Sequence, residues 1–84
     1  ISINCNPNPS NDNTLIEYSL PLYSNFKIDI YNIQGVHIKR ICKGTSIHYK
    51  NSINISVKEF ENGIYYLVLS TSNKIAYTKM IVIK

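Results

Sequence analysis

The chain has 84 residues, 44% of them hydrophobic and 17% charged, with a net charge of +4. That length holds one small domain, and so high an apolar fraction with so little charge excludes a disordered tail. No run reaches the roughly 18 apolar residues of a membrane span, and the lysines are dispersed rather than gathered into a nucleic-acid-binding stripe, so they read as solvated strand faces that favour solubility.

Period two dominates, and no helical stripe of useful length appears. The chain begins at Ile1, close to a strand-like segment and without a basic-then-apolar leader, so the expectation is a fragment of a longer secreted protein whose export signal lies upstream. "NPNPSNDN" (6–13) is turn-rich, because proline cannot donate to a ladder and Asn and Asp side chains cap turns. "TLIEYSL" (14–20) then alternates, with Ile16, Tyr18 and Leu20 on one face, and Pro21 stops it. "FKIDIYNI" (26–33) sets Phe26, Ile28 and Ile30 inward against Lys27, Asp29 and Tyr31. "NIQG" (32–35) is a tight connection in which Gly35 is free to take a positive φ, and "VHIKRIC" (36–42) returns as the second arm of a hairpin.

A looser region around "TSIHYKNS" separates this hairpin from "INISV" (53–57), where Ile53, Ile55 and Val57 share a side. "KEFENG" (58–63) is a corner, "IYYLVLS" (64–70) is the best-patterned strand, "TSNK" (71–74) turns, and "IAYTKMIVIK" (75–84) closes the chain. About seven short strands without a helix predict an all-β, immunoglobulin-like antiparallel β-sandwich. In such sandwiches a tyrosine near the start of the sixth strand bonds back to the preceding corner. Phe60, Gly63 and Tyr65 fit that device, with Tyr65 entering the core beside Leu67 and Leu69. An ordinary core tyrosine would produce the same pattern.

Catalytic patterns are sparse. Glu59 and Glu61 are the closest pair of acids in sequence and fall on the corner, where solvation is the simpler expectation, and His37 and His48 stand alone on strand-like segments. Nucleophile elbows, phosphate loops and dinucleotide fingerprints are absent from the sequence, and "NIS" (54–56), a glycosylation-type triplet, lies inside a predicted strand. Cys5 and Cys42 lack zinc-type spacing, which leaves two buried thiols or one bridge closing a loop of about 37 residues. Seven tyrosines would suit stacking on sugar rings, but they are spread over several segments and also satisfy β-propensity. A binding or address domain is the expectation; a structural or carbohydrate-binding accessory module of a secreted hydrolase is the alternative.

The ordered set of landmarks resembles the type A C-terminal sorting domain of the type IX (Por) secretion system of Bacteroidetes. A "PNP" box stands at Pro7, Asn8 and Pro9, and a strand ends on "SLP" at Leu20 and Pro21. The "YN-x-x-G" turn is at Tyr31, Asn32 and Gly35. The "L-x-x-G-x-Y" corner has Phe60 in the leucine place, then Gly63 and Tyr65, and the terminal strand motif falls on Lys79, Met80, Ile81 and Val82. An aromatic usually precedes the first proline of the box; here Asn6 does. The resemblance implies a non-catalytic sandwich without cofactor or nucleic-acid partner, carried behind an N-terminal cargo domain. It also implies passage of the cargo through the periplasm, recognition by the outer-membrane translocon and its shuttle protein, and processing by a sortase at the cell surface. The terminal strand is expected to offer a free edge on which a partner sheet could grow.

Overall fold

The computed structural model describes residues 1–84 as seven strands: β1 (Ser2–Asn6), β2 (Asn13–Ser19), β3 (Asn25–Asn32), β4 (His37–Thr45), β5 (Lys50–Ser56), β6 (Gly63–Ser70) and β7 (Ile75–Val82). All neighbouring pairs are antiparallel, in a three-stranded sheet of order β1–β2–β5 and a four-stranded sheet of order β4–β3–β6–β7. The chain changes sheet after β2, β4 and β5, which gives the immunoglobulin-like sandwich that the alternation predicted.

Alternation fixes which face each strand turns inward. In β6, Tyr65, Leu67 and Leu69 are buried while Ile64, Tyr66, Val68 and Ser70 stay partly open. Beside them on the same sheet lie Ile28 and Ile30 of β3 and Met80 and Val82 of β7, while Ile16 of β2 and Ile3 of β1 face them from the other sheet. Val57 and Phe60, from the segment between β5 and β6, close one end of this core. Each fully buried aliphatic side chain contributes about 1.5–3 kcal/mol of transfer free energy, so the two sheets have little reason to part.

Tyr18, Phe26 and Ile55, expected inside, are only half-buried against this core. Tyr18 and Phe26 pack on each other, ring centroids 5.5 Å apart, at the edge of the core. Ile55 lines an open groove of about 440 Å³ between β4 and β5, with Ile41, Ile53 and Phe60. β5 also begins at Lys50, three residues before the expected "INISV", because Asn51 continues the inward row of Ile53 and Ile55 with a polar side chain.

Asp29 departs further from expectation. It lies on the outer face of β3, yet its side chain is only 3% exposed, covered by partners from β4. Its carboxylate accepts hydrogen bonds from His37 Nε2 at 2.8 Å and Arg40 Nε at 3.1 Å. Burial alone would push this carboxyl up; the two hydrogen bonds and the guanidinium and imidazole charges outweigh it and hold the group below its ordinary 3.8.

Because strands alternate in direction, the registers sort the loops into two ends. One end gathers the β1–β2, β3–β4 and β5–β6 connections and the finish of β7; the other gathers the β2–β3, β4–β5 and β6–β7 connections and the start of β1.

Candidate functional site

Most of the motif residues read from the sequence meet at the first of these ends. The fold, not the sequence spacing, brings them together, since Asn8 and Ile81 are 73 positions apart. Those of the first loop hold the last strand, and the others fix the hairpin turn and the corner beside it.

Asn8 does this with its carboxamide, which behaves as a piece of β-strand. Its Nδ2 donates to the Lys79 carbonyl at 2.8 Å, and its Oδ1 accepts from the Ile81 amide at 2.8 Å. Ser10 continues the same edge: its amide donates to the Ile81 carbonyl at 2.8 Å, and its carbonyl accepts from Ile83 at 2.9 Å. The Ser10–Val82 bridge is parallel, a short stub added to the four-stranded sheet. Pro7 and Pro9, which cannot donate to a ladder, flank this stub. The Pro7 carbonyl accepts from Ser10 Oγ at 2.8 Å and from Thr14 Oγ1 at 3.2 Å, which fixes the loop from inside.

The expected free edge on the terminal strand is therefore only half present. Ile81 directs both its backbone groups outward to the Asn8–Ser10 segment, so by alternation Ile75, Tyr77 and Lys79 present theirs on the same side. Lys79 O and everything beyond it are taken, and the open stretch is Ile75–Tyr77 with the Lys79 amide. Met80 and Val82 face inward and are fully buried, whereas Lys79 is exposed and Ile81 partly so.

The corner and the hairpin complete this end. The Tyr65 hydroxyl donates to the Glu61 carbonyl at 2.7 Å, and the Tyr65 ring packs on Phe60 with centroids 5.4 Å apart. Tyr65 thus forms the tyrosine corner, not merely an apolar contact. Burial, and secondarily the Glu61 charge, raise its phenol above the ordinary 10.0. Asn62 Oδ1 accepts from the Lys84 amide at 2.9 Å, and Lys84 Nζ donates to the Lys58 carbonyl at 2.9 Å, tying the corner to the last residue. In the hairpin, Asn32 Oδ1 accepts from the amides of Gln34 at 3.0 Å and Val36 at 2.9 Å. Gly35 takes φ 83°, a left-handed backbone that suits glycine there. Tyr31 packs edge-on against His37 at 5.3 Å. Between hairpin and corner runs a groove of about 380 Å³, lined by Asn32, Ile33, Ile38, Asn62, Gly63 and Ile64 among others.

Two sequence landmarks lie elsewhere. Leu20 is fully buried at the opposite end, and Pro21 follows it there, its carbonyl accepting from Ser46 Oγ at 2.6 Å. The structure keeps Cys5 and Cys42 as free thiols, so the bridge raised by the sequence is not formed. Cys5 on β1 directs its thiol to the Lys79 carbonyl at 3.6 Å, while Cys42 sits on β4 beside Tyr18, in the other sheet and away from β1. Burial pushes both thiols above their ordinary value. Sequence reasoning missed Ser10 and Asn62, whose partners lie far along the chain and which only their turn-prone segments hinted at. It also missed Thr14, which the alternation reads as an ordinary strand residue although its hydroxyl bonds the Pro7 carbonyl.

A search among curated proteins returns no match. A scan against family models matches the secretion system C-terminal sorting domain over residues 4–84, a span that takes in every motif described above. The clamp on β7, the Asn32 turn and the tyrosine corner are the structural content of those motifs, and the chain belongs to the family of type IX secretion C-terminal sorting domains.

Proposed function

We propose that the chain is a non-catalytic address label, borne at the C-terminus of a longer secreted protein and read by the type IX machinery at its motif end. The observation that carries this proposal is the family match across residues 4–84. In this scheme the cargo crosses the periplasm and is passed to the outer-membrane translocon and its shuttle protein. A sortase then releases or anchors it at the surface or outside the cell. Asn8, Asn32, Gly35, Phe60, Gly63 and Tyr65 act by holding β7 and the hairpin in a fixed shape. The exposed Ile33 and Ile38, which line the groove between hairpin and corner, and the exposed Val36 and Ile83 at the same end supply apolar surface for a partner. The part of the open edge nearest the motif end, at Tyr77 and the Lys79 amide, offers main-chain bonds as a secondary contact.

The test is a fusion of residues 1–84 behind an export-competent fluorescent reporter in a bacterium that has the type IX system. The reporter should leave the periplasm in that host and stay there in a translocon-deficient sister strain. A reporter that remains periplasmic in the competent host, while an authentic sorting domain exports it, refutes the proposal.

A further inference from the structure

The end opposite the motifs carries an unusual surface. Leu22 and Tyr23 in the β2–β3 loop, Ile47 and Tyr49 in the β4–β5 loop, and Ile75 at the start of β7 all stand out there, from 51% exposed at Leu22 to 78% at Tyr23. These side chains do not hang on slack loops. Buried Ser46 staples the first two loops: its amide donates to the Ser24 carbonyl at 3.0 Å, its hydroxyl to the Pro21 carbonyl at 2.6 Å, and its carbonyl accepts from Tyr23 at 2.8 Å. Tyr23 is held at φ 63°, a left-handed backbone that an aromatic residue adopts only where its surroundings impose it. The fold therefore fixes a tyrosine outward rather than letting it fold back onto the core.

Charge is divided between the ends as well. Lys39 pairs with Glu59 at 2.6 Å and Lys58 with Asp12 at 3.5 Å, both at the motif end, while Asp29 is enclosed by His37 and Arg40. None of these pairs involves Lys27, Lys43, Lys50 or Lys74 of the opposite half; Lys79 and Lys84 at the motif end are unpaired too, but they share that end with three carboxylates, Asp12, Glu59 and Glu61. The carboxylates nearby are Glu17, on the outer face of the three-stranded sheet, and Asp29, which is enclosed and already bonded to Arg40 and His37. Lys27 and Lys43 stand directly opposite each other in the β3–β4 ladder, an arrangement that costs stability unless an anion relieves it. Together with Arg40, Ser70 and Thr71 they line a pocket of about 260 Å³. Its cations and hydroxyls suit a phosphate group.

We propose that this end of the sandwich docks on an anionic lipid surface, with Lys27, Lys43 and Arg40 taking a lipid phosphate and the tyrosine–aliphatic tip entering the headgroup layer. Tyrosines and aliphatic side chains rimmed by lysine are the chemistry of a lipid–water interface, where the ring sits at headgroup depth and the ammonium meets phosphate. An acidic protein would be met by the same lysines, but it would have little use for five apolar side chains spread over two loops and the start of β7. Docking there leaves the motif end, on the far side of the molecule, free.

Co-sedimentation with vesicles tests this, using phosphatidylcholine alone and phosphatidylcholine with phosphatidylglycerol at roughly 3:1. The chain should bind only the anionic vesicles, and salt should weaken binding. Lys27→Gln with Lys43→Gln should lower partitioning about 25-fold, near fivefold per lysine. Tyr23→Ser with Ile47→Ser should also reduce it. Lys39→Gln with Lys58→Gln removes the same charge from the motif end and should leave binding intact, separating a docking site from mere net charge. Circular dichroism of each variant confirms the fold. The proposal is overturned if anionic vesicles fail to bind the wild-type chain, if the two lysine pairs matter equally, or if polyglutamate binds where vesicles do not.

Discussion

Replacing Tyr65 by phenylalanine removes one oxygen and leaves the ring on Phe60 in place. The lost interaction is the 2.7 Å bond to the Glu61 carbonyl. A buried bond of this kind contributes about 0.5–1.5 kcal/mol net, and an acceptor left dry would add to that. Glu61 is exposed, so water can reach its carbonyl after the change, and the expected cost is about 1–1.5 kcal/mol. For a domain of this size that corresponds to a fall of roughly 4–10 °C in Tm, or about 1 M in the urea midpoint. The phenol's raised titration adds a signature. A group titrating higher in the folded state stabilises fully below its unfolded value and loses that contribution as pH rises through the folded one. Wild-type stability should therefore decline in the alkaline range, from above pH 9.0, where the buried thiols of Cys5 and Cys42 also lose their contribution. Tyr65→Phe should decline less steeply above pH 10.0, the remainder coming from those thiols and from Tyr18, which is raised by burial and by Cys42. Paired urea titrations at pH 7 and in the alkaline range suffice. Equal midpoints at neutral pH would refute the corner as a source of stability.

Asn8→Ala removes both side-chain bonds to β7 and should cost about 1–2 kcal/mol, with faster hydrogen exchange at the Ile81 amide than at core amides such as Leu67. Asp29→Asn should flatten the acid limb of the stability profile. The wild-type carboxylate, held below 3.8, stabilises above that value and loses its contribution as pH falls through its folded value; the amide cannot titrate. Cys5 and Cys42 should each alkylate more slowly in the folded chain than in urea, and reductant should leave the urea midpoint unchanged.

What the sequence disclosed follows the range of the interactions involved. The strands were legible because alternation is local: Tyr65, Leu67 and Leu69 announce their face from neighbours two residues away. The Asn32 turn and the tyrosine corner were legible for the same reason, each closing within five residues. Asn8 was visible as part of a motif, but its clamp on β7 was not, since nothing local marks a partner 71 to 73 positions away. That clamp is also why the terminal strand offers less free edge than its position suggests. Asp29 read as solvated because alternation places it outward; its burial depends on His37 and Arg40 folding over it from β4. Ser46 gave no signal at all, because its staple joins two loops that become neighbours only after both sheets form.

The central claim is that the motif end is what the export machinery reads. Its most direct test measures surface-exposed against periplasmic reporter for three fusions: wild type, Ile33→Asp with Val36→Asp, and Lys39→Gln with Lys58→Gln. Ile33, which lines the groove, and Val36, in the same hairpin turn, are both well exposed, so the first pair should keep its urea midpoint and yet leave the reporter in the periplasm. The lysine pair should be exported like wild type. Full export of the Ile33→Asp, Val36→Asp fusion, with its fold intact, would contradict the assignment of recognition to this end.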